Sequence, residues 1–423
     1  MFRPDEIRVS AMVERQSPMA SGADPQSASP IEARSSSTDA QIQAGNPASS
    51  NNRQPRSPAQ HNLNRHNRPA RARRAYAAID LGTNNCRLLI AKPAGDSFVV
   101  VDAFSRVVRL GEGLAGEGKL SQQAMDRAVA ALSVCADKLK RRNVVLARSV
   151  ATEACRRASN GEEFIERVRR ETGIMLDIIS AEEEARLAVL GCHILLEPGQ
   201  GPALIFDIGG GSTELVLIDT DGRAPEIRDW VSVPYGVVSL TESVDVDASS
   251  SESRIAGYEK MRATALESFR EFAKRLPHKD GDSYRMLGTS GTVTTLASLH
   301  LKLPCYNRSA IDGLIVPAQS MRDISQELGA MHVDERRDVP CIGKERADLV
   351  IAGCAILEAI LDIWPAERLG VADRGIREGI LRGLMAANSV PKSTNGRKAK
   401  GNGRSRSRNR SGNRGRGRTP KKS

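Results

Sequence analysis

Residues 203–218 read ALIFDIGGGSTELVLI, in which two short apolar runs flank three consecutive glycines. This pattern predicts two buried strands joined by a hairpin. Glycines weaken a strand, so three in a row suggest that backbone N–H groups approach an anion closely where no Cβ intervenes. Asp207 beside that anion implies an intervening cation. The loop is therefore a predicted phosphate cradle with a carboxylate aimed at a hydrated divalent metal; a plain glycine-rich hairpin is the alternative.

A second stretch repeats this plan. Residues 76–90 read YAAIDLGTNNCRLLI, with Asp80, Gly82 and small polar residues between two apolar runs. Asp80 and Asp207 lie 127 residues apart, which is about a domain length. The simplest interpretation is a duplicated domain whose two phosphate hairpins face each other across a cleft. This arrangement resembles the actin, sugar-kinase and heat-shock-chaperone ATPase superfamily, which implies an α/β fold of two ribonuclease H-like domains.

Composition separates the ends of the chain from its middle. Hydrophobic residues make up 40% of the 423 residues, enough for two or three domains with their own cores. Residues 1–75 carry eleven arginines against six acidic residues, and residues 391–423 carry thirteen lysines and arginines and no acid. Because the formal net charge is +11, the part between them is left at −7. Both ends are rich in small polar residues and are predicted to be disordered.

The basic C-terminal tail, residues 389–423, is rich in Arg, Gly and Ser. Such a segment attracts polyanions through salt-sensitive charge neutralisation, so RNA or a polyphosphate chain is a candidate partner; a solvated solubility tail is the alternative. No apolar run approaches the roughly 18 residues that cross a membrane, so we expect no membrane partner. The N-terminus also lacks the apolar segment of a signal peptide. Seven cysteines without CxxC spacing predict reduced thiols in a cytoplasmic protein.

Arg156 follows a predicted strand, residues 143–150, and precedes a predicted helix, residues 161–172. Ligands of α/β folds bind at the carboxyl ends of strands. A rigid, permanently charged guanidinium placed there suits phosphate, and an ordinary surface arginine is the alternative.

Another predicted helix begins after Ser180, where Ser180 and Glu183 form the pattern of a capping box. Glu184 lies on the same helical face as Ala188 and Gly191. That small-residue face allows another element to approach closely, so Glu184 could project into a cleft and act as a general base on water. A solvated helix-surface glutamate is the alternative.

Three more elements complete the pattern. Residues 253–275 form a predicted long helix, and residues 344–363 form another. Between them, residues 286–296 read MLGTSGTVTTL, which predicts a strand, a small-residue loop and the start of a helix. Helix N-termini after such loops bind phosphate or the edge of a nucleotide.

These pieces together resemble the exopolyphosphatase and guanosine pentaphosphate phosphohydrolase (Ppx/GppA) family over about residues 76–388. The motifs that carry the resemblance are, in chain order, IDLGTN at 79–84 with Arg87, ATEA at 151–154 with Arg156 and Asn160, IS at 179–180 with EARL at 184–187, DIGGGSTE at 207–214, GTSGTVTTL at 288–296, RAD at 346–348 and GIREG at 375–379. Longer family members add a C-terminal helical region with a His-Asp pair. This chain has six histidines in all and no such pair after the core, so it resembles the short, two-domain form.

The resemblance implies an acid-anhydride hydrolase that releases terminal phosphate from polyphosphate or from guanosine pentaphosphate. Glu184 matches the catalytic glutamate that activates water. Asp207 and Glu214 match the acidic pair associated with water and with Mg²⁺ or Mn²⁺. The predicted phosphate-binding residues, from the two hairpins and the matched positions, are Asp80, Gly82, Thr83, Asn84, Arg87, Arg156, Gly209, Gly210, Gly211, Ser212 and Thr213.

The expected organisation is a disordered extension at 1–75, domain I at 76–192, domain II at 193–388 and the tail at 389–423. The last helix of domain II is expected to pack back on domain I, and a homodimer is an open expectation. Two other functions stay open. One is a kinase or ATPase of the same superfamily, and the other is a polyanion- or RNA-binding protein with a vestigial core. Glu184, Asp207 and Glu214 are all intact, which argues against the vestigial core.

Overall fold

The computed structural model describes residues 74–95, 97–199, 201–220, 225–247, 249–276 and 284–388. The predicted disorder of the two ends falls on residues 1–73 and 389–423, which lie outside the described residues. The fold begins at Ala75, one residue before the expected boundary.

The described residues form eleven strands in two sheets. The strands are β1 (Ala75–Leu81), β2 (Asn85–Ala94), β3 (Ser97–Val107), β4 (Val144–Ala151), β5 (Asp177–Ile178), β6 (Ala203–Ile208), β7 (Thr213–Asp219), β8 (Glu226–Val233), β9 (Arg285–Thr289), β10 (Ile315–Pro317) and β11 (Arg368–Ala372).

Helices pack around these sheets. They are α1 (Leu114–Glu117), α2 (Gln122–Arg141), α3 (Glu153–Arg157), α4 (Gly161–Thr172), α5 (Ala181–Cys192), α6 (Val237–Ser243), α7 (Ser251–Arg275), α8 (Gly291–His300), α9 (Arg308–Ile311), α10 (Ala318–Ala330), α11 (Val333–Asp338), α12 (Val350–Ile363) and α13 (Ile376–Ala387). No helix within the described ranges is both long enough and apolar enough to cross a lipid bilayer.

The two sheets share one strand plan. The first has the order β3-β2-β1-β4-β5, and the second has the order β8-β7-β6-β9-β11-β10. In each, an antiparallel meander of three strands is followed by strands parallel to the first one. The second sheet adds β10 at its edge, antiparallel to β11. The duplicated α/β fold predicted from the two hairpins is therefore confirmed. We call residues 74–178, around the first sheet, lobe I, and residues 203–372, around the second, lobe II.

The helices and strands bury the apolar faces that their sequences present. Strand β1 is buried at every position, as a central strand covered on both faces should be. The core-facing side of α2, which includes Ala128, Leu132 and Cys135, is buried, and Ser121 caps the start of the helix by accepting a hydrogen bond from the Ala124 N–H. In lobe II, Trp364 lies edge-on against Phe269 and Phe272 of α7. The seven cysteines are all free thiols, as expected.

Helices α5 and α13 pack against each other between the two sheets. A Cβ at Gly191 of α5 would overlap the carbonyl oxygen of Gly375, and one at Gly379 of α13 would overlap that of Leu187. The predicted close approach to the small-residue face of α5 is thus real, and its partner is α13. Helix α13 also buries Ile380 and Leu381 against β1 of lobe I. This pair of helices places Glu184 at the junction of the lobes.

Candidate active site

A cavity that is partly open to solvent lies in the cleft between the lobes. All of the predicted site residues except Arg156 and Thr213 line it. Thr213 is instead fully buried behind the loop, where its hydroxyl donates to the Tyr235 carbonyl at 2.7 Å. The two hairpins, 127 residues apart in the chain, therefore meet at one site.

The two hairpin loops close in the same way. The Gly82 N–H donates to the Asn85 carbonyl at 2.9 Å, and the Gly209 N–H donates to the Ser212 carbonyl at 2.9 Å. The strands on either side of each loop are also equivalent in register: Asp80 lies opposite Arg87, and Asp207 lies opposite Glu214. Each loop therefore places one aspartate and one charged cross-strand partner at the cavity.

The carbonyl groups of the second loop are held from behind by the start of α6. The N–H groups of Val237 and Val238 donate to the carbonyls of Gly209 and Gly210 at 2.9 and 2.7 Å, and the Ser239 hydroxyl donates to the carbonyl of Gly211 at 3.0 Å. In the described structure neither Gly210 nor Gly211 donates its N–H to a backbone carbonyl. These two N–H groups are therefore available to an anion, and the role of the loop in phosphate binding stays a prediction.

The glycines of this loop also allow the lobes to touch. A Cβ at Gly210 would lie 2.9 Å from the Thr83 Cβ and 3.0 Å from the Asn84 nitrogen. A Cβ at Gly211 would lie 2.7 Å from the Thr83 hydroxyl oxygen. Real Cβ atoms do not approach other atoms this closely, so the glycines are required for contact between the two hairpins. Sequence reasoning found the loop but did not foresee this second requirement.

Five carboxylates line the cavity: Asp80, Glu153, Glu184, Asp207 and Glu214. Burial raises the pKa of Asp207 to about 6; Arg87 opposes the shift and Asp80 adds to it. Burial and then Asp207 raise the pKa of Glu214 to about 7, although the hydroxyls of Ser212 and Ser232 donate to its Oε1 at 2.7 and 2.8 Å. Shifts of this size in a cleft mark functional carboxylates.

Glu184 lies at the end of this cluster, in the first turn of α5. Burial raises its pKa well above the ordinary value, and Glu214 adds to the shift while Arg156 opposes it. Ser180 caps the helix by accepting from the Glu183 N–H at 3.2 Å. The Glu183 carboxylate does not complete the predicted capping box; it forms ion pairs with Arg148 and Arg186 instead. Glu183 thus points away from the site, and Glu184 points into it.

Arg156 lies behind Glu184 and does not line the cavity. Its guanidinium donates to Glu184 Oε2 at 3.0 Å, to Glu153 Oε2 at 2.6 Å and to the Ile179 carbonyl at 2.9 Å. The arginine predicted to contact phosphate is therefore engaged by two carboxylates. In this arrangement it orients Glu184.

Two arginines do face the cavity, Arg87 from β2 and Arg346 from the turns before α12. Neither forms an ion pair with a carboxylate of the described residues. Burial and the neighbouring Arg87 lower the pKa of Arg346, as expected for two cations that await an anion. Arg346 belongs to the RAD motif at 346–348, but the sequence does not predict a role for it, because no local pattern shows where its side chain points.

The remaining wall comes from the N-terminal end of α8, through Ser290, Gly291, Thr292 and Thr295. The Ser290 hydroxyl is buried without a hydrogen-bond partner in the described structure, and so is the Asn84 side-chain oxygen. Both are available to a ligand. Carboxylate and amide oxygens are also the donors that hard divalent cations prefer. Within the described residues no group of three or more His, Cys, Asp or Glu side chains is placed to hold a metal ion, so Mg²⁺ or Mn²⁺ at Asp207 and Glu214 would need water or substrate oxygens to complete its coordination.

The sequence and the fold of this chain are both similar to those of one protein family. The model of the Ppx/GppA phosphatase family matches residues 89–388. A Haemophilus influenzae protein that carries a provisional exopolyphosphatase name is 29% identical over 313 residues, or 74% of this chain and 91% of its own length. A guanosine-5'-triphosphate,3'-diphosphate pyrophosphatase of Aliivibrio fischeri is 30% identical over 315 residues. The match covers 73% of this chain but 59% of that relative, so the chain spans about three fifths of its length.

Solved structures agree with these sequence matches. The crystal structure of the Aquifex aeolicus member of the Ppx/GppA family is 28% identical, with a TM-score of 0.61 over 75% of this chain and 99% of its own. An exopolyphosphatase from Cytophaga hutchinsonii is 25% identical, with a TM-score of 0.65 over 74% and 98% of the two chains. Because the family model runs from within β2 to the end of α13, through both lobes and all of the site except the residues of the first hairpin before position 89, the chain is a phosphatase-type enzyme and belongs to the Ppx/GppA phosphatase family.

Proposed function

We propose that this enzyme hydrolyses the terminal phosphate from inorganic polyphosphate, from guanosine pentaphosphate, or from both. The observation that carries the proposal is one cavity that joins an anion-binding half to a water-activating half. Two glycine-containing loops and the cations Arg87 and Arg346 form the first half, and the carboxylates around Glu184 form the second. Two relatives, one provisionally named an exopolyphosphatase and one named a guanosine-5'-triphosphate,3'-diphosphate pyrophosphatase, support the same substrate classes.

In the proposed reaction Glu184 acts as the general base. Arg156 occupies Glu184 Oε2, which leaves the other carboxylate oxygen for a water molecule. The water oxygen attacks the terminal phosphorus, its proton passes to Glu184, and the bond from phosphorus to the bridging oxygen breaks. Burial raises the pKa of Glu184, and a carboxylate with a raised pKa is a stronger base toward the water proton.

The remaining residues stabilise charge. A phosphate chain is densely anionic, so phosphoryl transfer depends mostly on positioning and on preorganised positive groups. The loop N–H groups of Gly210 and Gly211 and the guanidinium groups of Arg87 and Arg346 can supply these. Orthophosphate is the first product, and the shortened chain or nucleotide is the second.

We also propose that Asp207 and Glu214 hold Mg²⁺ or Mn²⁺, with Asp80 and Asn84 close by. When bound, such an ion would neutralise part of the negative charge of the phosphate groups. Removal of divalent cations with a chelator should abolish hydrolysis, and added Mg²⁺ should restore it. Full turnover in excess chelator would contradict this part of the proposal.

The test of the function is a comparison of substrates in water enriched in ¹⁸O. Long-chain polyphosphate, guanosine pentaphosphate and ATP with a range of hydroxyl acceptors are each incubated with the protein, and orthophosphate is measured by mass spectrometry. We expect orthophosphate that carries one ¹⁸O from at least one of the first two substrates. Transfer from ATP to an acceptor without such release would support a kinase, and no turnover of any substrate would support a vestigial core.

A further inference from the structure

The segment from Glu345 to Asp348 in lobe II carries Arg346, one of the two cations that face the cavity. It lies in turns before α12 rather than in a regular helix. The N–H groups of Leu349 and Val350 donate to the Arg346 carbonyl at 2.9 and 3.0 Å. The carbonyls on either side of it, those of Glu345 and Ala347, are held by arginine side chains instead, so the placement of Arg346 also depends on these side chains.

One side of the segment is fixed by its own lobe. Arg336 of α11 is buried, and its Nε donates to the Ala347 carbonyl at 2.8 Å. Its Nη1 donates to the carbonyls of Leu328 and Met331 at 3.2 and 2.9 Å. A buried guanidinium with several carbonyl acceptors fixes the backbone next to Arg346 against the body of lobe II.

The other side of the segment is held from lobe I, across the cleft. Arg109 donates through Nη2 to the Glu345 carbonyl at 3.0 Å and to both oxygens of the Asp348 carboxylate at 3.1 and 3.0 Å. The side chains of Arg109 and Asp348 are 32% and 38% exposed. The ion pair is therefore at the rim of the cleft, where salt can weaken it.

Arg109 is also bound to the first phosphate hairpin. Its N–H donates to the Asn84 carbonyl at 3.0 Å, and its own carbonyl accepts from Arg127 at 3.1 Å. Its φ of 45° lies in the left-handed region, which is uncommon for a residue other than glycine. Such a conformation persists only where surrounding contacts impose it, and it often accompanies function. One residue thus joins the Asn84 loop of lobe I to the Arg346 segment of lobe II.

We propose that Arg109 is a positioning residue that couples closure of the lobes to the placement of Arg346 on substrate phosphate. This inference rests on the proposed function for its substrate class. When the lobes close, the Arg109–Asp348 ion pair forms and the segment is held from both sides. Arg346 then faces Arg87 across the cavity. When the lobes separate, the segment keeps its hydrogen bonds to Arg336 and to the start of α12 but loses those to Arg109.

The test is a double-mutant cycle on Arg109→Ala and Asp348→Ala. Two quantities are measured for each variant: the KM for tripolyphosphate, and the affinity for imidodiphosphate, a P–N–P anion that is not hydrolysed, by titration calorimetry. Each single variant should raise the KM and weaken the affinity by about threefold to tenfold at low salt, with kcat changed by less than about twofold. The double variant should be no worse than the poorer single variant. Arg109→Lys should recover part of the loss, since it keeps the charge.

Arg167→Ala is the matched control, because Arg167 forms ion pairs with Asp126 and Glu171 within lobe I, away from the cavity. It should leave both quantities unchanged. Additive effects of Arg109→Ala and Asp348→Ala, or wild-type affinity in both, would overturn the inference. If the wild type binds imidodiphosphate and the cycle is non-additive but no substrate is hydrolysed, the proposed function fails and the coupling stands.

Discussion

Asp207 and Glu214 lie opposite each other across one hairpin, and burial raises the pKa of each, to about 6 and about 7. A carboxylate whose pKa is higher in the folded than in the unfolded state holds more protons when folded. Its contribution to the free energy of unfolding is therefore present at low pH and is lost as the pH rises from the pKa of the unfolded state to the pKa of the folded state. For these two groups that interval runs from about pH 4 to about pH 7.

Asp207→Asn should consequently stabilise the cation-free protein at pH 8 relative to wild type, and much less at pH 5. The expected difference in Tm between these two pH values is about 2–4 °C, measured by calorimetry in the presence of a chelator. Asp137→Asn, on the exposed face of α2, is the control and should show no such dependence. If the Tm difference between Asp207→Asn and wild type does not change with pH, burial does not destabilise the ionised form of Asp207.

Side-chain direction is what the sequence could not predict at single positions. Arg156 was correctly placed between a strand and a helix, yet its guanidinium turns to Glu184, which lies 28 residues later. Arg346 belongs to the RAD motif at 346–348, yet its position at the cavity depends on contacts of its neighbours with α11 and with lobe I as well as on the start of α12. Such contacts join distant parts of the chain, so neither periodicity nor spacing reveals them.

Among the elements, those set by local patterns were predicted well. Both hairpins and the small-residue face of α5 follow from periodicity, glycines and capping residues close by in the chain. The helix predicted from residue 344 was wrong at its start, since α12 begins at Val350. The preceding residues keep a turn conformation because Arg336 takes the Ala347 carbonyl and Arg109 takes the Glu345 carbonyl. Tertiary contacts override helix propensity there.

The contact between the two hairpin loops predicts the effect of a single added methyl group. In Gly211→Ala the new Cβ would lie 2.7 Å from the Thr83 hydroxyl and 2.9 Å from Glu153 Cγ. The lobes would have to separate to relieve this overlap, and overpacking of this kind costs about 1–3 kcal/mol. We therefore expect the KM for polyphosphate to rise by about tenfold or more, measured by orthophosphate release.

Gly116→Ala in α1 is the control, because a Cβ there would meet nothing within 4 Å. It should keep the wild-type KM. A wild-type KM for Gly211→Ala as well would show that the hairpins do not need to touch for substrate to bind.

At the level of the complete chain, the part between the two ends has a net charge of the same sign as the proposed substrates. The part between the two basic ends carries −7, whereas the proposed substrates are polyanions. The thirteen positive charges of residues 391–423 would raise the local concentration of a long polyanion near the cleft. The attraction between the tail and a polyanion can be predicted from the sequence alone, because net charge can be counted without knowledge of the fold.

Deletion of residues 391–423 should therefore raise the KM for long-chain polyphosphate by about twofold to tenfold at low salt and leave kcat nearly unchanged. The effect should fade as salt is added, and it should be smaller for tripolyphosphate, which is too short to reach both tail and cleft. A tail with its lysines and arginines replaced by glutamine should behave like the deletion, and a scrambled tail of the same composition should behave like wild type. If the KM for long chains is unchanged at low ionic strength, the tail has no part in substrate capture.

The role of Glu184 is best examined by single-turnover release of orthophosphate from polyphosphate, at saturating protein and with Mg²⁺ present. Glu182 provides the matched control, since it lies two residues away in the same first turn of α5 but is exposed to solvent. If Glu184 takes the proton from the attacking water, Glu184→Gln should slow release by about 10²–10⁴-fold while polyphosphate still binds, and Glu182→Gln should match wild type. A rate for Glu184→Gln within a few fold of wild type would contradict a hydrolysis mechanism built on this carboxylate.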